Sequence, residues 1–433
     1  MKRIFLLFLS IIIFSSFGNA QNTLSLTDAV NIALKNSLQV QLAKNKVEAD
    51  KILNHLSVAG GYPLVTGSVA DNEQVTSVNQ KLNTGSSIQR NNAAANNLSA
   101  NITGSILLYN GGRVVATKKR LAELQAQSQD QLNAQVQNIL AEVMVGYYDI
   151  IRQQDYIKTI DQSIEASNEQ LRIVKLRQQA GLANNADLFQ AQIDLNVLQQ
   201  SKLAQQLIAD QAKTELLRLL TLKADSSIAI KDTIVVDKSV VLETILNGLN
   251  KNADIEAANK QIRINELILK ETTAQRYPSV RATTGYTFSR NQAAAGQLLL
   301  NQNYGPTVGV SIAIPIYNGS VYKRQQKVAA IDIKNASLQK DVLIRDYNAQ
   351  AVKQFQSYTN TINQLDSAVQ NYQLSQKLLN LVLLKFQYKQ ATIVEVKNAQ
   401  QSFEESGFRL VNLNFAAKSA EIELKRLANV LAP

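Results

Sequence analysis

One histidine, no cysteine and no cluster of ligating side chains leave this chain few routes to covalent or metal chemistry. A thiolate nucleophile, a thiolate metal site and a disulfide framework are excluded outright. His55 sits beside Leu53 and Leu56 in a stretch of helical spacing, without the partner ligands a metal needs, and is expected to be structural. No Ser-His-Asp arrangement or metal-spaced motif is present, so neither an enzyme nor a cofactor is expected. The 45 Lys and Arg against 34 Asp and Glu give a net charge of +11. They are dispersed, which fits a solvated helical surface better than a nucleic-acid footprint. What remains is physical: apolar faces, converging charges and the elements that position them.

Lys2 and Arg3 precede an apolar run, Ile4–Phe17, and Gly18-Asn19-Ala20 places small residues around a cleavage point after Ala20. The spacing predicts export, with 43 basic against 34 acidic residues left, or +9. No other run approaches the ~20 apolar residues of a membrane helix.

The elements come in two copies. Sliding the sequence by 208 residues lays Ile106–Leu220 on Ile314–Ala428 without a gap. Tyr109-Asn110-Gly111-Gly112 falls on Tyr317-Asn318-Gly319-Ser320, and Glu215, Leu216 and Arg218 fall on Glu423, Leu424 and Arg426. Such a register means one structural unit used twice. Each copy opens with a helical pattern, Leu24–Ser57 and Val241–Ala274, ended by Tyr62-Pro63 and Tyr277-Pro278.

After each Tyr-Pro the apolar period switches to two. Val280, Ala282, Thr284, Tyr286 and Phe288 share one face, and Val308, Val310, Ile312, Ile314 and Ile316 share another. Val65, Gly67 and Val69, then Ala100, Ile102, Ile106 and Leu108, repeat this more weakly. Polar stretches, Asn72–Asn97 and Asn291–Gly305, are expected to be loops joining four strands in two hairpins. Strand length, alternation and export point to membrane-spanning strands with Val308, Val310, Ile312, Ile314 and Ile316 facing lipid. Four strands cannot close a barrel, and open edges are not tolerated in lipid, so several chains must share one.

The period then returns to helical. Arg113–Ala180 holds a single glycine, Gly146, and no proline; Val321–Gln390 holds neither. A continuous helix over Arg113–Ala180 would be roughly 100 Å long. Its lower part carries a coiled-coil seam, repeated by Leu365, Ala368, Tyr372, Ser375, Leu379, Val382 and Phe386. Turns at Ala180-Gly181-Leu182-Ala183-Asn184-Asn185 and around Lys389–Thr392 lead into return helices, Ala186–Leu222 and Ile393–Val430. The β-branched run in Asp225–Lys238 predicts a short strand between the copies.

This order resembles the TolC-like outer membrane efflux protein family. Its carriers are Leu24-Ser25-Leu26-Thr27-Asp28-Ala29-Val30, the Tyr-Asn-Gly-Gly turn, and Ala180-Gly181-Leu182 with Asp187-Leu188 and Ala191-Gln192. The resemblance divides the chain into a signal peptide (1–20), a first repeat (21–222), an equatorial linker (223–240) and a second repeat (241–433). It implies a mainly helical homotrimer whose chains each give four strands to a shared twelve-stranded outer-membrane barrel. The helices would form an α-barrel reaching into the periplasm, a passive exit duct for efflux or type I secretion. A periplasmic adaptor and an inner-membrane pump would dock at the tips, with Gly181, Leu182, Ala183 and Lys389 as contacts. The family's two acidic constriction positions match Glu395 and Asn398, and its tip-closing trio matches Phe386, Ala391 and Asp187. Only the acids persist, one as Glu, so the family's salt-bridge lock is not expected in that form. Two alternatives stand beside it: a periplasmic adaptor, which would hold one central helical hairpin instead of a duplicated unit, and a non-transporting structural or adhesive trimer.

Overall fold

A computed structural model of the chain describes residues 23–431; the expected signal segment, 1–20, lies outside them. The chain falls into two compact units. One comprises residues 45–130 and 257–341, and the other comprises the described residues up to 44 with 131–256 and 342–431.

The same order of elements occurs twice. In the first pass, α1 (Leu26–Asn36) and α2 (Leu38–Leu53) lead to β1 (Leu64–Lys81) and β2 (Ser87–Tyr109), then α3 (Arg113–Gln179) and α4 (Asn185–Leu219). The second is α5 (Leu242–Leu249), α6 (Ala253–Ala274), β3 (Ser279–Ala293), β4 (Leu300–Ala313), α7 (Val321–Gln387) and α8 (Ile393–Leu427). The opening helix expected in each copy is interrupted. Ser37 leaves the helix with ψ 121° and its hydroxyl accepts from the Val40 N–H. Asn252 accepts from the Asp254 N–H at 2.9 Å and donates to the Leu427 carbonyl at 2.9 Å. Both are polar side chains that compete with the helix for backbone groups.

In the unit holding residues 45–130 and 257–341, the four strands form one antiparallel sheet in sequence order. The stretches read as loops, 72–97 and 291–305, are largely strand. Asn72 pairs with Asn97 and Lys81 with Ser87, so the first loop shrinks to residues 82–86 and the second to 294–299. Polar side chains on both faces erase the hydrophobic alternation, yet the backbone ladder needs no apolar residue to continue. A bulge between Thr76 and Val78 marks the upper part of the β1–β2 ladder. At Gly285 an added Cβ would lie 2.5 Å from the Ile102 carbonyl oxygen, so the close approach of β2 and β3 requires glycine there.

In the other unit, the apolar stripe of α1 (Ala29, Val30, Ala33) is buried with Val143, Tyr147, Ile150, Leu216 and Leu220. The Tyr147 hydroxyl lies 2.5 Å from an Asp232 carboxylate oxygen and 2.9 Å from the Leu24 carbonyl. Burial, then the Asp232 bond, pushes its pKa upward and keeps it a neutral donor. The strand expected in 225–238 reduces to one parallel bridge, Thr23 to Ala229. There the linker is fixed by side chains instead. Glu421, 3 % exposed, accepts from Lys418, Lys425 and the Asp237 N–H, and Lys425 also bridges to Asp237 at 3.0 Å. Removing one partner of so buried a group leaves a charge without compensation.

Candidate functional site

Two helical turns carry the expected gate and docking residues, and they share a backbone but differ in chemistry. In the first, Gly181 adopts φ +70° and the Leu182 N–H reaches back to the Arg177 carbonyl at 2.7 Å. This is the six-to-one closure that ends helices at a left-handed residue. Asn184 then caps α4 by accepting from the Asp187 N–H at 2.8 Å. In the second turn Lys389 holds the same conformation at φ +65°, and the Gln390 N–H reaches the Lys385 carbonyl at 2.8 Å.

Thr392 and Glu395 cap α8 reciprocally. The Thr392 hydroxyl accepts from the Glu395 N–H at 3.2 Å, while the Glu395 carboxylate accepts from the Thr392 N–H at 2.6 Å. Donation to that carboxylate from the Thr392 N–H, and from the Thr392 hydroxyl at 2.9 Å, holds the Glu395 carboxyl below the usual glutamate range. Asp187 and Glu395 are the same repeat position, each in the first turn of its return helix. Glu395, Asn398, Gly181, Leu182 and Lys389 are exposed, whereas Asp187, Ala183 and Ala391 are half-buried.

Phe386 is different. It is 3 % exposed and packs in a cluster with Leu171, Val174, Ala191, Leu195 and Val396, with Ala391 against its side. The Arg177 guanidinium stacks 4.3 Å from its ring centroid and donates to its carbonyl. The end of α3 is thereby tied to the end of α7. A second tie joins α8 to α4, where Lys397 bridges to Asp194 at 2.9 Å and Gln190 donates to the same oxygen. Neither Arg177 nor the Asp194–Lys397 pair was singled out in the sequence. A cation in the last turn of a helix is favoured by the dipole anyway, so Arg177 carried no distinguishing signal.

The sheet supplies the other site. Its register places Val65, Gly67 and Val69 beside Gly104, Ile102 and Ala100, then Thr284, Tyr286 and Phe288, then Val308, Pro306 and Tyr304, all on one face. The opposite face holds Thr66 and Ser68, Thr103 and Asn101, Gly285 and Thr287, and Thr307 and Gly305. Val308, Val310 and Ile312 are 86, 67 and 63 % exposed, so among the described residues nothing covers the apolar face there. Ile314 and Ile316 are equally bare but fall past the end of β4 at Ala313. Pro315, between them, has no N–H with which to continue the ladder. Among the described residues no helix is long and apolar enough to cross a membrane.

Residues 29–221 match the family model for the outer membrane efflux protein. The chain is 24 % identical to outer membrane protein TolC of Vibrio cholerae over 393 residues, covering 87 % of each. It is 20 % identical to the proteases secretion protein PrtF of Dickeya chrysanthemi over 365 residues, covering 80 % of this chain and 75 % of PrtF. The crystal structure of the outer membrane protein VceC of Vibrio cholerae superposes with a TM-score of 0.78 at 17 % identity, over 93 % of this chain and 96 % of VceC. An outer membrane with a channel built from helices and a four-stranded contribution accounts for both the bare amphipathic sheet and the long helices. The first repeat matches the outer membrane efflux proteins, and the chain as a whole is TolC-like in sequence and fold, a protein of the outer membrane.

Proposed function

We propose that three copies of this chain assemble into an exit duct for efflux or type I secretion, each giving four strands to a twelve-stranded barrel. The observation that carries this is the single-layer sheet, apolar on one face, small and polar on the other, whose outer edges on β1 and β4 have no partner strand among the described residues. Unpaired backbone is not tolerated in hydrocarbon, so the edges must meet copies of each other. The apolar rungs from Tyr304 to Ile312 run roughly 26 Å along the strand at about 3.3 Å per residue, or about 20 Å of depth at the usual barrel tilt, most of an outer-membrane apolar band.

The helices support the same assembly. Phe189, Ile193 and Val197 make an exposed stripe on α4, and Leu374, Leu378 and Leu381 make another on α7. Two unlike stripes on one chain pair head-to-tail, and such contacts close into rings. The turns at Gly181, Leu182, Ala183 and Lys389 are then the docking points for a periplasmic adaptor and, through it, an inner-membrane pump. Leu182 is 59 % exposed there. The energy comes from the pump and the duct is passive.

Glu395 of three copies would form a constriction, with Asn398 one turn further along. Converging Glu395 carboxylates in a narrow pore attract cations. The assembly is tested by the mass of the detergent-solubilised protein, where a monomer would defeat it. In planar bilayers, multivalent cations should block conductance and Glu395→Ala should relieve the block. Equal block in both proteins would remove Glu395 from the pore. Loss of drug or protein export in a deletion strain separates a duct from an adhesive trimer.

A further inference from the structure

Directly after β2 and directly before β3 the chain forms a groove that the duct reading does not use. The start of α3 and the end of α6 enclose about 550 Å³, lined by Val115, Leu267, Leu269 and Tyr277, with Lys119 and Lys270 among the lining residues. Its geometry is built in. At Gly111, φ is +68°, and an added Cβ would lie 2.7 Å from the Tyr277 Cβ and 2.8 Å from the Ala274 carbonyl, so the turn presses onto the end of α6. Val115 and Tyr277 remain 59 and 52 % exposed, an apolar floor that water does not favour.

The surroundings are strongly basic. The stretches that line it, 111–119 and 267–277, hold five Lys and Arg and one acid, Glu271. Glu271 is already taken by Arg120 at 2.7 Å, and Lys119 and Lys270 make no ion pair among the described residues. A second copy is a poor occupant, because β2 and β3 are the central strands and copies would meet at the edges, β1 and β4.

We propose that this groove binds an anionic glycerophospholipid of the surrounding leaflet, with the phosphate held by Lys119 and Lys270 and the glycerol and upper acyl chain on Val115, Leu267 and Tyr277. The site rests on the sheet lying in a membrane, since only then is the groove at headgroup level. Basic side chains at that level recruit anionic lipid, and the apolar floor favours a lipid over free phosphate.

Native mass spectrometry of the detergent-solubilised full chain tests this, with dioleoyl-phosphatidylglycerol and dioleoyl-phosphatidylcholine as probes. The protein should take the glycerol lipid with a preference of about five-fold or more. Lys119→Gln/Lys270→Gln should abolish the preference, and Val115→Trp should lower uptake of both lipids. Lys175→Gln/Lys377→Gln, an equal charge loss near the turns, should change nothing. Equal binding of the two lipids, or an undiminished preference in Lys119→Gln/Lys270→Gln, overturns the proposal. So does a change of oligomer mass in that variant without loss of lipid, which would make the groove a contact between copies. Lipid uptake is read in micelles, so a protein that binds lipid but conducts nothing would sink the duct and spare this site.

Discussion

The two turns that follow α3 and α7 were built from one template and have diverged. Both use a left-handed residue and the same six-to-one hydrogen bond, but glycine fills that position in the first and lysine in the second. Both start the next helix with a side-chain cap, but the first uses an amide and the second a reciprocal Thr-Glu pair. The buried Phe386 corresponds in the repeat to Gln178, a half-buried residue that donates to Asn185 within its own turn at 2.7 Å. The second turn therefore accepts a strained backbone residue but gains a buried ring and a charged cap. The first is relaxed in backbone and has no large apolar anchor. Fold symmetry is maintained by the backbone bonds while side chains are free to specialise.

The largest test of that contrast is Phe386→Ala against Gln178→Ala. Losing the ring should cost about 3–5 kcal/mol of local stability, because it empties a packed cluster and leaves Arg177 without its platform. Gln178→Ala should cost about 1 kcal/mol or less, the worth of one exposed hydrogen bond. Amide hydrogen exchange across both turns reads the two values, and equal losses would erase the asymmetry.

Backbone strain gives a smaller and opposite pair. Gly181→Ala should lose about 1–2 kcal/mol, since nothing crowds the new Cβ and the left-handed conformation is the whole cost. Lys389→Gly should gain about 0.5–1 kcal/mol at its own turn, after the added freedom of glycine in the unfolded chain. A loss at both positions would mean that the lysine side chain holds the turn in some other way.

The smallest effect is pH-dependent. The folded state lowers the Glu395 pKa, so its contribution is present above the ordinary glutamate range and fades as pH falls through the lowered value. Exchange protection at residues 392–396 should weaken as pH falls below the ordinary glutamate range, and Glu395→Gln should flatten that dependence. The cap of the first turn, the Asn184 amide, does not titrate. Simultaneous loss at both turns would point to a cause other than the cap.

Much of this architecture was legible in the residues. The 208-residue repeat foretold two turns, and the replacement of Gly181 by Lys389 foretold that they would differ. Four strands were readable wherever one face was apolar, as in Val308–Ile312. They became unreadable in 72–97, where Asn, Gln, Ser and Thr occupy both faces and only ladder hydrogen bonds reveal the strand. The helix breaks at Ser37 and Asn252 were hidden because one polar residue in a helical pattern is usually tolerated. Arg177 and Phe386 are 209 residues apart, and no local spacing announces such a contact.

The long β1–β2 ladder has a consequence for how the chain is assembled. Above Asp71 and Leu98 its cross-strand neighbours are mostly polar, so a slip of one residue there would exchange like for like at little cost. Below them, the same slip of β1 against β2 would turn Val65 and Val69 to the side of Asn101 and Thr103, and Thr66 and Ser68 to the side of Ala100 and Ile102. The hairpin thus behaves as a zip fastener with coded teeth at one end only. Closure that starts among the apolar rungs carries the correct alignment outward, whereas closure that starts at residues 82–86 must first discard the wrong ones.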